Sequence, residues 1–347
     1  MIIVRITSGL GNQMFQYAFY RLMQERYPET EVRADVTWFH ANDDHHGYEL
    51  ERIFADVSGS DFMLQKATSG QLLHVTGLIP NFMTGKAGLT FEKIRRYPNR
   101  IIREFTQKKC LPQRIDELEL CFGEGNMSAA ELYDQVMHLD TTKDWYLAGF
   151  WIEESYYKDR LLSGQLQREL KFPAFSSSRY TGMQLDSDYV HTDRTNTNRT
   201  NTVNEQRAVD MNSCNSVSIH VRRGDYLTTY SSDFIALGRE YYEQAVAYME
   251  QHVESPVYYI FSDDSDFIKE EFTWLQNYVI VTGNEGDNSY RDMQLMSICK
   301  HNIIANSTFS QWGAFLNQNA GHITIYPHSY MRTKDNEVKT LPGWVML

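Results

Sequence analysis

Cysteine and basic charge are scarce in this sequence. Its four cysteines, at positions 110, 121, 214 and 299, form no CxxC pair. They are too few for a disulfide scaffold, which favours a reducing compartment. The 33 Lys and Arg residues are outnumbered by 45 Asp and Glu residues, so the formal net charge is −12. Nucleic acid is therefore excluded as an expected partner, because binding its phosphate backbone requires a basic face. Any basic site must be local.

Long apolar stretches are also missing. A transmembrane helix needs about 18 consecutive apolar residues, and no window of the sequence approaches that length. The first residues, "MIIVRITSGLGNQ", lack a charged segment before a long apolar core, and Arg5 interrupts their short apolar run. They predict a first strand rather than a signal peptide. We therefore expect a cytoplasmic protein without a transmembrane segment, and leave open a peripheral location at the inner face of a membrane.

The length of the chain indicates two domains. A chain of 347 residues exceeds what one hydrophobic core usually supports, so two domains of about 150 residues each are expected. The segment "SDYVHTDRTNTNRTNTVNEQ" is almost devoid of aliphatic residues and predicts an exposed loop or flexible linker. We therefore predict an N-terminal domain at 1–173, a polar linker or insertion at 174–213, and a C-terminal domain at 214–347.

Strand and helix patterns alternate along most of the chain. "IIVRIT" and "EVRADVT" predict strands on either side of an amphipathic helix, "NQMFQYAFYRLMQERYP". After residue 216, the segments "SVSIHV", "VYYIF", "VIVTG", "HNIIA" and "HITIY" predict further strands with helices between them. Residues 60–140 are less regular and are predicted to be helical, with Pro80, Pro98 and Pro112 as breakers. The rhythm predicts an α/β fold with a mostly parallel, Rossmann-like sheet.

The segment "SVSIHVRRGD" joins an apolar strand to four polar or glycine residues. Ligands of open α/β sheets bind beyond the carboxyl ends of the strands. Because side chains alternate along a strand, Arg222 shares the face of His220, and Arg223 points the other way. Arg222 is therefore the better candidate for an anion ligand, while Arg223 is expected to pair with Asp225 or another acid. The alternative is a purely structural ion pair.

Two other predicted strands also end in polar residues. "YYIFSDD" ends in Asp263 and Asp264, which suit a helix N-cap, acceptors for guanine or ribose donors, or ligands of a divalent metal. In "HNIIANSTFSQWGAFLN", hydroxyls at Ser307, Thr308 and Ser310 lie among the free N–H groups of a helix start. This turn predicts a pyrophosphate cradle, with simple N-capping as the alternative.

Two further motifs carry weaker signals. "TSGLGNQ" matches the GxGxxG dinucleotide fingerprint only in part, because Met14 occupies the third glycine position. A nicotinamide-dependent oxidoreductase is therefore disfavoured. The ionisable residues at 43–46 are consecutive, and neighbouring side chains on an extended chain point apart. They predict a surface loop rather than a metal site.

Together, the segments "GLGNQMFQYAF", "HGYELERIF", "SIHVRRGDYL", "YIFSDD" and "DMQLMSICKHNIIANSTFSQWGAFLN" resemble the family-11 glycosyltransferases, the α-1,2-fucosyltransferases of bacterial type. The HxRRxD element is also similar to that of the α-1,6- and protein O-fucosyltransferases. The resemblance implies a GT-B-type fold of two Rossmann-like domains facing a central cleft. It also implies GDP-fucose as donor substrate, with no metal or other cofactor. The N-terminal domain would mainly bind the acceptor, and the C-terminal domain the GDP-sugar.

The resemblance also assigns roles to individual residues. Arg222 would be the principal contact to the GDP pyrophosphate, and Asn12 and Asp225 complete the catalytic candidates. His220 and Asp225 would shape the donor pocket. The full set of implied donor-binding residues is Gly11, His220, Arg222, Asp263, Asp264, Ser307, Thr308, Phe309 and Ser310.

The catalytic base and the acceptor contacts stay open. Candidates for the base are Asp225 and the two carboxylates of "GFWIEESYY", Glu153 and Glu154. Trp151 and these glutamates are expected either to line an acceptor groove or simply to pack. The implied reaction is inverting transfer of L-fucose from GDP-β-L-fucose to the 2-hydroxyl of a galactose-terminated oligosaccharide or lipid-linked glycan. The alternatives are another GDP-sugar or linkage, or a non-enzymatic carbohydrate-binding protein.

Overall fold

The computed structural model of the chain describes residues 1–42, 46–106, 113–122, 127–175, 194–329, 331–332 and 340–347. The chain divides into two compact units, Met1–Lys171 and Phe172–Leu347. Each unit contains one parallel sheet and its own helices, so the predicted α/β fold of two Rossmann-like units is confirmed. Most of the predicted loop at 43–46, together with Pro112 and residues 176–193, lies outside the described residues.

The first unit is built on a four-stranded parallel sheet. Its strands are β1 (Ile2–Arg5), β2 (Val32–Asp35), β3 (Gln113–Asp116) and β4 (Trp145–Ala148), in the order β2-β1-β4-β3. Its helices are α1 (Leu10–Arg26), α2 (Asp56–Ser58), α3 (Ser69–Thr76), α4 (Gly85–Thr106), α5 (Ala129–Met137), α6 (Lys158–Leu162) and α7 (Gln165–Glu169). Short 3-10 turns cover Thr37–His40, Gly59–Asp61 and Glu154–Tyr156, and π-turns cover Glu51–Ala55 and Leu118–Phe122.

The second unit contains a six-stranded parallel sheet. Its strands are β5 (Asn215–Val221), β6 (Pro256–Ser262), β7 (Tyr278–Val281), β8 (His301–Ile303), β9 (Thr324–Tyr326) and β10 (Val345–Met346), in the order β10-β9-β8-β5-β6-β7. Its helices are α8 (Arg194–Ser213), α9 (Gly224–Leu227), α10 (Arg239–His252), α11 (Ser265–Glu271), α12 (Tyr290–Ile298) and α13 (Thr308–Phe315), and a 3-10 turn covers Gly286–Asn288. Among the described residues, none of the helices has both the length and the apolar character needed to cross a membrane.

The central strand β5 shows the predicted alternation. Val217, Ile219 and Val221 are fully buried in one apolar cluster with residues of α10 and β6. Ser218, on the other face, is also buried, and its hydroxyl accepts a hydrogen bond from the Asn302 amide at 2.7 Å. Both faces are covered, as parallel sheets require. The strand is therefore a rigid support for the residues that follow it.

Helix α8 occupies part of the segment predicted to be an exposed loop, and that prediction is wrong for residues 194–213. Met211 is fully buried in an apolar cluster. Asn204 is also fully buried, and its amide donates to the Asn284 side chain at 2.6 Å. Because this helix buries amides through hydrogen bonds rather than aliphatic side chains, its composition resembles that of a linker.

Pro98 lies inside α4, so its predicted role as a breaker is wrong. A proline in a helix interior removes one N–H donor and strains the preceding turn. Its neighbours hold the helix through tertiary bonds, since Asn99 and Arg95 both donate to the carbonyl of Ile79, at 3.0 and 2.9 Å. These contacts lie too far apart in sequence for a local pattern to reveal them.

A buried carboxylate shapes the turn that follows β4. Oε2 of Glu117 accepts the N–H groups of Phe150 and Trp151, at 2.6 and 2.7 Å. Gly149 fits here because a Cβ would lie 2.6 Å from the side chain of Glu117. Trp151 adopts φ 57°, a region that non-glycine residues rarely occupy. Burial raises the pKa of Glu117 to about 7, although the two N–H groups act in the opposite direction.

This raised pKa predicts a pH-dependent stability. The folded state holds a proton on Glu117 more tightly than the unfolded state, whose pKa is near 4.5. The contribution of Glu117 to the stability of the folded state is therefore complete below pH 4.5 and is lost as the pH rises to about 7. The free energy of unfolding falls by about 3 kcal/mol over this range. Glu117→Gln should flatten this decline in the free energy of unfolding, measured by urea denaturation across that range. Glu119→Gln, an exposed change in the following turn, is the control. A Glu117→Gln variant with the pH dependence of the wild type would contradict the prediction.

Candidate functional site

Arg222 lies at the carboxyl end of β5 between two carboxylates. Its Nη2 donates to Oδ2 of Asp225 at 2.8 Å, and its Nη1 lies 2.9 Å from Oδ2 of Asp263. The chain can pass this close to Asp263 because residue 224 is glycine, where a Cβ would lie 2.8 Å from the same Oδ2. The Arg222 side chain is 27% exposed. Since a guanidinium has five N–H donors, structural pairing and anion binding are compatible in this residue.

Arg223 takes a different direction, as the strand pattern predicts. Its Nε lies 3.3 Å from Oδ2 of Asp264, and its guanidinium lies 3.4 Å from the centre of the Phe267 ring. Asp225, one of its expected partners, pairs with Arg222 instead, so the partner of Arg223 is the other acid, Asp264. Arg223 therefore connects the end of β5 to the start of α11.

The acidic pair after β6 is occupied by protein donors. Asp263 accepts the backbone N–H of Arg223 through Oδ1 at 3.0 Å and faces Arg222 through Oδ2. Asp264 caps α11 by accepting the N–H of Phe267 at 3.0 Å. The structure thus shows the capping alternative at Asp264 and an ion pair at Asp263. The guanine contact stays a prediction, and it would have to share these oxygens.

His220 is a buried imidazole on the Arg222 face of β5. Burial, reinforced by the charge of Arg222, lowers its pKa to about 3. Its Nδ1 has no hydrogen-bond partner in the described part of the chain, and its ring centroid lies 5.9 Å from that of Phe309. A group with this pKa takes up almost no proton near neutral pH. His220 can thus form a hydrogen bond to a ligand, but it is unsuited to be a general base.

The turn after β8 begins helix α13. Ser307 occupies the N-cap position, yet its hydroxyl makes no capping hydrogen bond. The Ser310 hydroxyl instead forms two hydrogen bonds within the turn. It accepts one from the N–H of Ala305 and donates one to the carbonyl of Ser307, both at 3.3 Å. Thr308 and Phe309 are half-buried at the first helical positions. Simple capping therefore does not account for Ser307, and the helix start keeps the features of an anion cradle.

Tyr226 connects these two parts of the site and is not among the residues predicted from the sequence. Its buried hydroxyl donates to the carbonyl of Asn306 at 2.9 Å, while the guanidinium of Arg222 lies 5.8 Å from the centre of its ring. Through Tyr226 and the His220–Phe309 contact, the structure brings the end of β5 close to the turn before α13. A tyrosine in "RRGDYL" gives no sequence signal for this role.

In the first unit, Gly11 and Asn12 lie in the first turn of α1. The turn before them is held by Gln13, which is also not among the residues predicted from the sequence. The amide of Gln13 donates to the carbonyls of Ser8 and Gly47, both at 2.8 Å. Asn12 is half-buried, and its side chain has no hydrogen-bond partner among the described residues. The geometry thus fixes the backbone at Asn12 and leaves its amide unused.

Trp151 packs in the core of the first unit. It is fully buried, stacks on Phe19 with ring centroids 3.9 Å apart, and meets Tyr156 edge-on at 5.5 Å. The packing alternative is therefore the one that the structure shows, because a fully buried ring cannot contact an acceptor. Glu153 and Glu154 are half-exposed in the turn that follows.

Known proteins resemble the chain over most of its length. It is 28% identical to the O-antigen biosynthesis glycosyltransferase WbnK of Escherichia coli, over 99% of both chains. It is 26% identical to an alpha-1,2-colitosyltransferase of the same species, over 96% of this chain and 94% of the relative. The crystal structure of fucosyltransferase NodZ from Bradyrhizobium has a TM-score of 0.47 at 11% identity, covering 90% of this chain and 91% of NodZ.

The family model described as Glycosyl transferase family 11 matches residues 74–347. This match spans well over half of the chain. It includes the whole second unit, with Arg222 and the turn at 307–310. The chain belongs to glycosyl transferase family 11.

Proposed function

We propose that this glycosyltransferase transfers L-fucose from GDP-β-L-fucose to the 2-hydroxyl of a terminal β-galactoside, with inversion at the anomeric carbon. The observation that carries the proposal is Arg222, fixed between Asp225 and Asp263 near the start of α13. Relatives named as galactoside alpha-(1,2)-fucosyltransferases, such as the human protein at 30% identity over 37% of this chain, support the donor and the linkage. The similarity to WbnK supports a surface glycan as the acceptor.

The diphosphate of the donor is the anion that suits this geometry. Arg222 presents a planar fork of N–H donors that matches two phosphate oxygens. The N–H groups at the start of α13, with the hydroxyls of Ser307 and Thr308, would face the same group. His220 would contribute one neutral hydrogen bond. The binding energy is then concentrated on the part of the donor that becomes the leaving group.

Transfer breaks the bond between the anomeric carbon of fucose and the diphosphate oxygen, and the electron pair leaves with GDP. The galactose 2-oxygen bonds to the anomeric carbon from the opposite face and releases its proton to a base. Negative charge grows on the diphosphate as the bond lengthens. Fixed donors aimed at that charge, led by Arg222, stabilise the transition state more than the ground state.

The base is proposed to be one of three carboxylates, Asp225, Glu153 or Glu154. Oδ2 of Asp225 accepts a hydrogen bond from Arg222, while its buried Oδ1 has no hydrogen-bond partner among the described residues. His220 is not proposed, because its low pKa makes it too weakly basic. Asn12 stays a predicted contact near the reacting sugar, and Gly11 a predicted donor contact.

We also propose that no metal ion takes part. In this reading Arg222 supplies the positive charge that a divalent cation would provide at the diphosphate. The nearby carboxylates Asp263 and Asp264 are directed at Arg222 and Arg223. They therefore support the arginines rather than present an open set of metal ligands.

A second donor is favoured by one specific comparison, the relative named as an alpha-1,2-colitosyltransferase. Colitose is L-fucose without its 3-hydroxyl. The diphosphate half of the site would serve both donors equally. Selection between them would depend on whether a buried polar group pairs with the 3-hydroxyl, since a site built for that hydroxyl strongly rejects a sugar that lacks it.

The activity can be tested directly. Incubation with GDP-fucose and lactose, or with a panel of Galβ1,3-HexNAc glycans, should release GDP and yield an α-1,2-fucosylated product. NMR of the product identifies the linkage, and GDP-colitose in a parallel reaction tests the second donor. EDTA should leave the rate unchanged, because Arg222 takes the place of a metal ion at the diphosphate. Failure to fucosylate any galactoside, or strict dependence on a metal, would contradict the proposal.

Substitution of Arg222 separates its proposed role at the diphosphate from its role as a charge between Asp225 and Asp263. Arg222→Ala should lower kcat by about 100-fold or more, because a donor to the leaving group is lost. It should also lower the melting temperature, since Asp225 and Asp263 then lie close together without a cation. Arg222→Lys should recover the melting temperature but not kcat, because an ammonium lacks the planar fork.

The control is Arg239→Ala, which removes an exposed ion pair with Glu243 and should change neither kcat nor the melting temperature. Kinetics under saturating donor and thermal unfolding provide the two readouts. If Arg222→Ala has the kcat of the wild type, Arg222 acts only as a charge between its carboxylates.

A further inference from the structure

Helix α4 turns its polar side toward the first unit. Gly88, Glu92, Arg95 and Asn99 recur at the spacing of one helix face. The Asn99 side-chain oxygen accepts the N–H of Ile79 at 2.9 Å, and Arg95 is paired with Glu92. At Gly88, a Cβ would clash with the carbonyl of His40. The helix is therefore held against its unit by hydrogen bonds, ion pairs and a close backbone contact.

The opposite side of α4 carries its exposed apolar residues. Tyr97 is 73% exposed and Ile94 is 63% exposed, and Leu89 and Ile101 are exposed beside them. Phe82, just before the helix, is also exposed, and its ring centroid lies 4.5 Å from that of Phe91 in the helix. A helix of a globular protein normally buries its apolar stripe and exposes its polar one. The orientation of α4 is the reverse, which indicates that its outer face has a partner.

The outer face is also basic. Lys86, Lys93, Arg96 and Arg100 are exposed, and no exposed position between 82 and 101 carries a carboxylate. The chain as a whole has a net charge of −12, so this concentration of cations is local. An apolar surface with cations around it is complementary to a partner that has an apolar interior and anionic groups on its surface.

We propose that the outer face of α4 lies on the surface of a bilayer containing anionic lipids. Tyr97, Ile94 and Leu89 would insert among the headgroups, and the lysines and arginines would lie against the lipid phosphates. A shallow groove lined by Lys86, Phe91 and Ile94 adds apolar surface with a cation at its side. The site does not depend on the transfer reaction, since none of these residues belongs to the proposed donor site.

The test is co-sedimentation of the full chain with vesicles of phosphatidylcholine, with and without phosphatidylglycerol. Binding should be stronger by about tenfold or more to the anionic vesicles, and it should weaken in high salt because the attraction is partly electrostatic. The double variants Ile94→Ser/Tyr97→Ser and Lys93→Glu/Arg96→Glu should each abolish this preference. Since the changed side chains are exposed, thermal unfolding should be unchanged.

Matched controls are Leu162→Ser and Lys269→Glu, which change an exposed apolar residue and an exposed cation elsewhere. They should bind as the wild type does. Transfer to a soluble galactoside should be unaffected in all variants, which separates this inference from the proposed function. Equal binding to neutral vesicles, or full binding by the α4 variants, would overturn it. So would a change from dimer to monomer in Ile94→Ser/Tyr97→Ser, measured by analytical ultracentrifugation, without any vesicle binding by the wild type. That result would identify a second copy of the chain as the partner.

Discussion

The attraction between Arg222 and the carboxylates of Asp225 and Asp263 organises the carboxyl end of the second sheet. Asp263 directly follows β6, the strand next to β5, so the pair joins two strand ends, with its members 41 residues apart in sequence. It also requires glycine at 224, because Asp263 fills the space of a side chain there. A guanidinium held in this way is oriented before any ligand arrives. Less conformational entropy is then lost when an anion binds.

A charged side chain, Arg222, and a neutral one, His220, lie close together in this site. Arg222 keeps its charge because two carboxylates and some solvent compensate its burial. His220, two residues earlier and more deeply buried, has no such partner and is neutral. The same strand therefore presents a cation for electrostatic stabilisation and a neutral ring for hydrogen bonding. This division follows from depth in the sheet rather than from residue type alone.

Buried polar side chains hold several segments of the chain in place. Gln13 fixes the turn before α1, Glu117 fixes the turn after β4, and Asn204 connects α8 to the loop after β7. Each satisfies backbone or amide groups that would otherwise be costly to bury. Hydropathy patterns do not detect such contacts. For this reason α8 looked like a linker in the sequence, and α4 gave no sign that its polar face is the inner one.

The sequence by itself determined the order of strands β5 to β9 in the second unit, the orientation of Arg222 on the His220 face, and the polar turn at Ser307. These features depend on periodicity and turn chemistry among neighbours in the chain. Only the tertiary structure decided that Arg223 pairs with Asp264, that Trp151 is buried and that Tyr226 joins two turns. Such partners are set by the packing of distant strands and helices, and local patterns carry no information about which distant groups will meet.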